Sequence, residues 1–200
     1  MHHTATPAPD KPRPEAIVVG ASAGALDVLS TILPQLPADY PLPLMVVVHI
    51  PADKDSLLVQ LMRAKCRMAV QEAEDKSPLH GGTIYFAPPD YHLLVERNQR
   101  LSLSSEEPVM YSRPSIDVLF ESAADAYGAG LVGIILSGAN SDGARGLQAI
   151  IEAGGTGLVQ RPDLAHAAAM PQAALDACPQ AQSLSEVEIA AYLLEMIPST

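Results

Sequence analysis

The chain has 200 residues, a formal net charge of -11 and two cysteines, Cys66 and Cys178, far apart in sequence. That length suits one domain, and a chain of this size buries roughly 70% of its unfolded surface, enough for a core without staples. The acidic balance speaks against nucleic acid as a partner and against a polybasic membrane patch, no apolar run is long enough to cross a bilayer, and the cysteines fit free thiols in a reducing, cytoplasmic setting.

Residues 1–14 are proline-rich and polar, with no apolar signal core, and are expected to form a flexible arm ahead of a folded domain over 15–200. His2 and His3 belong to that arm. The run Ala16-Ile17-Val18-Val19 predicts a buried strand. Gly20-Ala21-Ser22-Ala23-Gly24 stands directly behind it. A helix follows, with Leu26, Leu29, Ile32 and Leu33 on one side and Pro34 ending it. A G-x-S-x-G turn between strand and helix has three readings: a nucleophilic serine, a glycine-rich turn without chemistry, or a dinucleotide loop. Leu44 to Val48 forms the second strand and ends in His49. A dinucleotide fold would place an acid there to hold ribose, and the loop lacks the full G-x-G-x-x-G set. Histidine at that place suits a general base.

Leu57, Leu58, Leu61 and Met62 mark a second helix. Met68 to Glu72, Thr83 to Ala87, His92 to Glu96 and Leu101 to Ser104 are short strands that suggest a hairpin or antiparallel extension of the sheet, and His80 falls in a turn beside Gly81-Gly82. Ile116 to Tyr127 returns to helix, with Ser115 expected to cap it. Leu131 to Leu136 is a strand that runs into Ser137-Gly138-Ala139-Asn140-Ser141-Asp142-Gly143. A helix from Ala144 to Ala153, a last parallel strand at Gly157 to Val159, and helices near Pro171 to Ala177 and Val187 to Met196 complete the chain. The pattern predicts an α/β fold: a doubly wound, mainly parallel sheet with helices on both faces and a short antiparallel hairpin extension.

Three strands thus carry Ser22, His49 and Asp142 to their carboxyl ends, which line one crevice in an open parallel sheet. A serine hydroxyl is a poor nucleophile near neutral pH, so His49 would accept its proton. Asp142, expected at the sheet edge and not in the core, would hold the other ring N–H and stabilise the imidazolium. The order Ser…His…Asp differs from that of the α/β-hydrolases. No set of His, Asp and Glu shows zinc spacing.

Val18 to Gly24, Val48-His49-Ile50-Pro51, Ala73-Glu74-Asp75, Ile84 to His92, Arg113 to Phe120, Leu136-Ser137-Gly138 with Asp142-Gly143, and Met170-Pro171 together resemble the catalytic domain of the chemotaxis-type protein-glutamate methylesterases (CheB-type). The resemblance runs from Ala16 to about Ile197. It implies a serine hydrolase that cleaves γ-glutamyl methyl esters, and also deamidates glutamines, on the methylated cytoplasmic region of chemoreceptors, with no cofactor or metal and no membrane insertion. The family's triad positions fall on Ser22, His49 and Asp142, and oxyanion donors on the backbone of Ala23 and Ala139. Ala23 stands where the family often has threonine, and Ala139-Asn140-Ser141 departs from the usual Gly-Met-Gly-x-Asp-Gly loop. The usual receiver domain does not precede the first strand, which implies a stand-alone domain unresponsive to phosphodonors. These departures keep open a second reading, a catalytically degenerate module that binds receptors.

His92 is a substrate-binding candidate or a partly exposed histidine at a strand start. Arg113 is expected to hold a substrate carboxylate or to form a surface ion pair. His166 is a rival base that no strand end presents. Ser137 and Ser141 are expected to shape the Asp142 loop, and Asn140 to fill a left-handed position where the family often has glycine.

Overall fold

The computed structural model describes residues 12–49 and 52–197, so most of the expected arm, with His2 and His3, and the Ile50-Pro51 pair lie outside the described residues. The strands are β1 (Ala16–Ala21), β2 (Leu44–Val48), β3 (Ala69–Glu72), β4 (Thr83–Phe86), β5 (His92–Val95), β6 (Leu101–Ser104), β7 (Leu131–Ile135), β8 (Thr156–Gln160) and β9 (Gln182–Leu184). The helices are α1 (Ala25–Ile32), α2 (Ala52–Lys65), α3 (Ile116–Tyr127), α4 (Ala144–Glu152), α5 (Ala169–Ala177) and α6 (Glu186–Glu195).

Seven strands form one sheet in the order β3-β4-β2-β1-β7-β8-β9, with every neighbouring pair parallel. β1 lies at its centre and is buried along its whole length, as an apolar strand covered on both faces must be. Its side chains alternate between two cores. Ile17, Val19 and Ala21 join Val28 and Leu29 of α1, Met62 of α2, and Ile189 and Leu193 of α6. Ala16 and Val18 join Phe120 of α3, Leu147 and Ile150 of α4, and Ala174 of α5 on the other face. The sheet is therefore doubly wound.

The middle of the chain differs in detail from its pattern. β3 and β4 are not part of an antiparallel extension; both pair parallel within the main sheet. Only β5 and β6 pair antiparallel, as a separate two-stranded sheet. Short alternating strands carry no sign of direction, and parallel neighbours are normally betrayed by a crossover helix. Here an irregular stretch, residues 73–82, replaces that helix between β3 and β4. β9 was without signal because its three residues are polar or partly exposed. Leu26, grouped with the apolar side of the first helix, is 46% exposed; α1 buries Ala25, Val28, Leu29 and Ile32 instead, and Leu57 of α2 is 61% exposed. Among the described residues no helix is long and apolar enough to cross a membrane.

The sheet order decides where a site can form. From β1 the chain moves to β2 on one side, and later returns to β7 on the other. The switch point is the gap between β1 and β7, and ligands bind outside the carboxyl ends of strands at such a point. Gly20 lets α3 approach this gap, since a Cβ there would lie 2.4 Å from Ile116 Cγ2.

Candidate active site

Ser22 is half-buried in the turn between β1 and α1. Its N–H donates to Ser137 O at 2.9 Å and its carbonyl accepts the N–H of Ala25 at 3.0 Å. Gly24 takes a left-handed φ of 82°, and a Cβ there would meet His166 Cβ at 2.5 Å. Ser137 is buried. Its hydroxyl donates to Ala23 O at 2.6 Å and accepts the N–H of Ala167 at 2.9 Å. Ser137 therefore fixes the Ser22 turn, beyond the expected role in the Asp142 loop. His166 is exposed in the segment after β8 and packs over Gly24, closer to the turn than its sequence context indicated.

His49 continues from β2, with its backbone N–H on Ala21 O at 3.0 Å. Its Nε2 lies 2.8 Å from Asp142 Oδ2. The sequence pairing of His49 with Asp142 is thus present. No hydrogen bond joins Ser22 Oγ to His49 or to any other described residue. The N–H groups of Ala23 and Ala139 have no protein acceptor among the described residues, which leaves both available to an incoming oxygen.

Asp142 is not at an edge; its exposure is 0%. Its Oδ1 accepts Ser115 Oγ at 2.9 Å and the N–H of Asp117 at 3.0 Å, and its Oδ2 accepts the N–H of Ile116 at 2.7 Å. The carboxylate thus caps α3 from outside the helix. Ser115 occupies the N-cap position, but its hydroxyl donates to Asp142 and accepts no helix N–H, which corrects its expected role. A carboxylate holds several N–H groups better than one hydroxyl does, and it also suits the positive end of the helix dipole. Burial alone would raise the Asp142 carboxyl. The close approach of His49 and the hydrogen bonds from the backbone of Asp117 and Ile116 outweigh burial and hold it below the ordinary aspartate value.

Asp117, which sequence reasoning missed, returns the favour to α4. Its Oδ1 accepts the N–H of Gly143 at 3.0 Å and of Gly146 at 2.7 Å. The two helices exchange caps, and Gly143 is the residue after Asp142. The only local signal was an acid in the first turn of a predicted helix, which reads equally well as a solvated charge. Burial, chiefly, and the nearby charge of Asp142 raise the Asp117 carboxyl, against the Gly146 N–H, which lowers it. The sign follows from linkage. A raised folded value means that folding gains stability as pH falls through it toward the ordinary value of about 4. Asp142 works the other way: its contribution is complete above the ordinary value and is lost as pH falls through its lower folded one. Asp117→Asn keeps an acceptor for both N–H groups but removes the titration. Urea midpoints are expected to rise less, from neutral pH down to about pH 4.5, in this variant than in the native protein.

His92 is not a partly exposed histidine; it is 2% exposed. Its Nδ1 accepts the N–H of Ser115 at 3.2 Å, so Nε2 carries the proton and donates to Glu107 O at 3.1 Å. Both nitrogens are used internally, which removes it from substrate binding and makes it a prop for Ser115. Arg113 makes no ion pair among the described residues; its Nη1 donates to the carbonyls of Ser105 and Glu106 at 3.1 Å. Asn140 is half-buried and is not left-handed, whereas Gly143 is, with φ 96°. Its side chain turns inward: Oδ1 accepts the N–H of Asp142 at 3.1 Å, and Nδ2 lies 3.3 Å from His49 Nδ1.

Comparison with known proteins supplies the lineage. A family described as CheB methylesterase matches residues 17–193. A Leptospira interrogans relative, assigned as a protein-glutamate methylesterase/protein-glutamine glutaminase, is 44% identical over 182 residues, 91% of this chain and 94% of its own. An Archaeoglobus fulgidus protein-glutamate methylesterase/protein-glutamine glutaminase is 35% identical over 169 residues, 83% of this chain but 48% of its own. The crystal structure of the Thermotoga maritima CheB methylesterase catalytic domain superposes with a TM-score of 0.88 at 27% identity, covering 93% of this chain and all of that one. With the family match spanning most of the sheet and the fold shared throughout, the chain belongs to the CheB methylesterase family of hydrolytic enzymes.

Proposed function

We propose that the protein hydrolyses γ-glutamyl methyl esters, and deamidates glutamines, on the methylated cytoplasmic region of chemoreceptors, through Ser22, His49 and Asp142. The observation that carries this reading is the buried Asp142 carboxylate 2.8 Å from His49 Nε2, at the switch point beside the Ser22 turn. With Nε2 set 2.8 Å from the Asp142 carboxylate, the ring proton belongs on Nε2 and the lone pair on Nδ1. Ser22 Oγ attacks the ester carbonyl carbon while Nδ1 takes its proton. The N–H groups of Ala23 and Ala139 receive the oxyanion, and Asp142 stabilises the imidazolium without taking a proton. Collapse breaks the bond to the methoxy oxygen, which leaves as methanol with the proton from His49. Water then attacks the acyl-enzyme by the same route and releases the glutamate carboxylate. A glutamine side chain follows the same path with ammonia as the leaving group.

The rival reading, a receptor-binding module without turnover, draws on the missing Ser22–His49 hydrogen bond. Such bonds are often long in free enzymes and tighten with substrate. A fluorophosphonate probe with peptide mapping separates the two. Covalent label on Ser22, absent from Ser22→Ala, is the expected result; an unlabelled native protein would leave only the binding module.

A further inference from the structure

We propose that Asn140 is a brake on the general base: its amide occupies the nitrogen of His49 that must accept the Ser22 proton, and catalysis begins only when that bond is given up. The inference rests on the triad reading above and deepens it.

The orientation of the amide follows from its neighbours. Oxygen and nitrogen of an asparagine side chain are told apart by their hydrogen bonds. Asn140 Oδ1 sits 3.1 Å from the N–H of Asp142, a donor that only an oxygen can accept. The group that faces His49 Nδ1 at 3.3 Å is therefore the NH2, and it donates. The imidazole is read the same way. Asp142 Oδ2 stands 2.8 Å from Nε2, and a carboxylate only accepts, so Nε2 carries the ring proton and Nδ1 the lone pair. Both assignments agree: the amide donor faces Nδ1, and the carboxylate lies against Nε2. In the resting ring Nδ1 is engaged by Asn140, Nε2 is set 2.8 Å from Asp142, and Ser22 is bonded to neither nitrogen.

A lone pair engaged by one N–H cannot at the same time receive the serine proton. Ser22 must displace Asn140 from Nδ1. Losing a neutral hydrogen bond of this kind corresponds to roughly a 2- to 10-fold effect on an equilibrium. Removing the amide takes one acceptor from the Asp142 N–H but leaves the carboxylate's own bonds in place. Asp142 retains Ser115 Oγ and the N–H groups of Ile116 and Asp117 as donors, and Gly143 remains tied to Asp117.

The test is the rate at which a fluorophosphonate inactivates the full chain, separated into its maximal rate and its half-saturating concentration. The probe reports the attack of Ser22 without requiring a receptor. In Asn140→Ala the maximal rate should rise about 2- to 10-fold with half-saturation unchanged. Asn140→Asp keeps the shape but offers Nδ1 an acceptor. It should pin a proton there and lower the maximal rate by more than about tenfold. A group that merely shaped the loop through its oxygen would lower the rate in Asn140→Ala and spare Asn140→Asp, the reverse of the expected pattern. Label on Ser22 with a rate unchanged or reduced in Asn140→Ala would overturn the brake. No label on Ser22 in the native protein would overturn the triad reading itself.

Discussion

Ser22→Ala is expected to fold as the native protein does and to release no measurable methanol from methylated receptor on the native time scale. The hydroxyl makes no hydrogen bond to a described residue, and the turn is held by backbone bonds to Ser137 and Ala25, so its removal costs the fold little. The chemical loss is large because nothing replaces the nucleophile. Where a triad member is removed, the oxyanion donors and substrate binding leave a residual rate of only about 10³–10⁴ over water. Methanol release and thermal melting on the same preparation check both halves. Substantial turnover by the variant would move the chemistry to another group, with His166 and Ser137 the nearest by position.

Asp142→Asn is the second large effect, and it is expected to strike activity and stability together. Three donors converge on the two carboxylate oxygens, Ser115 Oγ and the N–H groups of Ile116 and Asp117, and His49 Nε2 stands 2.8 Å from Oδ2. An amide has one oxygen to offer. If its NH2 takes the place of Oδ2, it faces the N–H of Ile116 and presses His49 into the tautomer with the lone pair on Nε2, away from the serine. If it takes the place of Oδ1, it faces the N–H of Asp117. Either way a buried helix N–H loses its acceptor, which costs about 1–3 kcal/mol. For a chain of this length that lowers the melting temperature by roughly 2–4 °C per kcal/mol. The wrong tautomer costs about 10⁴ in kcat in a serine protease, and a loss of at least about 10² is expected here. A variant with native kcat would show that His49 is oriented by something else, and Asp90 or Asp163 would be the next acids to replace.

The order of strands and helices was legible because parallel strands covered on both faces read as unbroken apolar runs, and β1, β2 and β7 are such runs. Ser22, His49 and Asp142 were legible for a related reason: each follows one of those runs, and the carboxyl ends of a parallel sheet share one edge. What the runs could not show is burial beyond the strands. Asp142 and His92 lie in or beside loops, where an acid or a histidine is ordinarily half-exposed. Their burial depends on α3 closing over them, a contact between segments distant in sequence. The same holds for Asp117, whose partners Gly143 and Gly146 belong to another helix. The amide of Asn140 escaped notice because its role is set by two neighbours, one of which, His49, arrives from β2.

The exchange of caps between α3 and α4 has a consequence for how descent leaves its mark. On the proposed triad, Asp142 would answer to two selections, one for turnover and one for a folded chain, whereas Ser22 would answer to turnover alone. A lineage that gave up catalysis but kept the scaffold would shed the serine freely and retain the aspartate, because dropping it unmoors a helix. Among relatives of this chain, an aspartate at this position is therefore poor testimony to a working enzyme, and a serine at position 22 is good testimony.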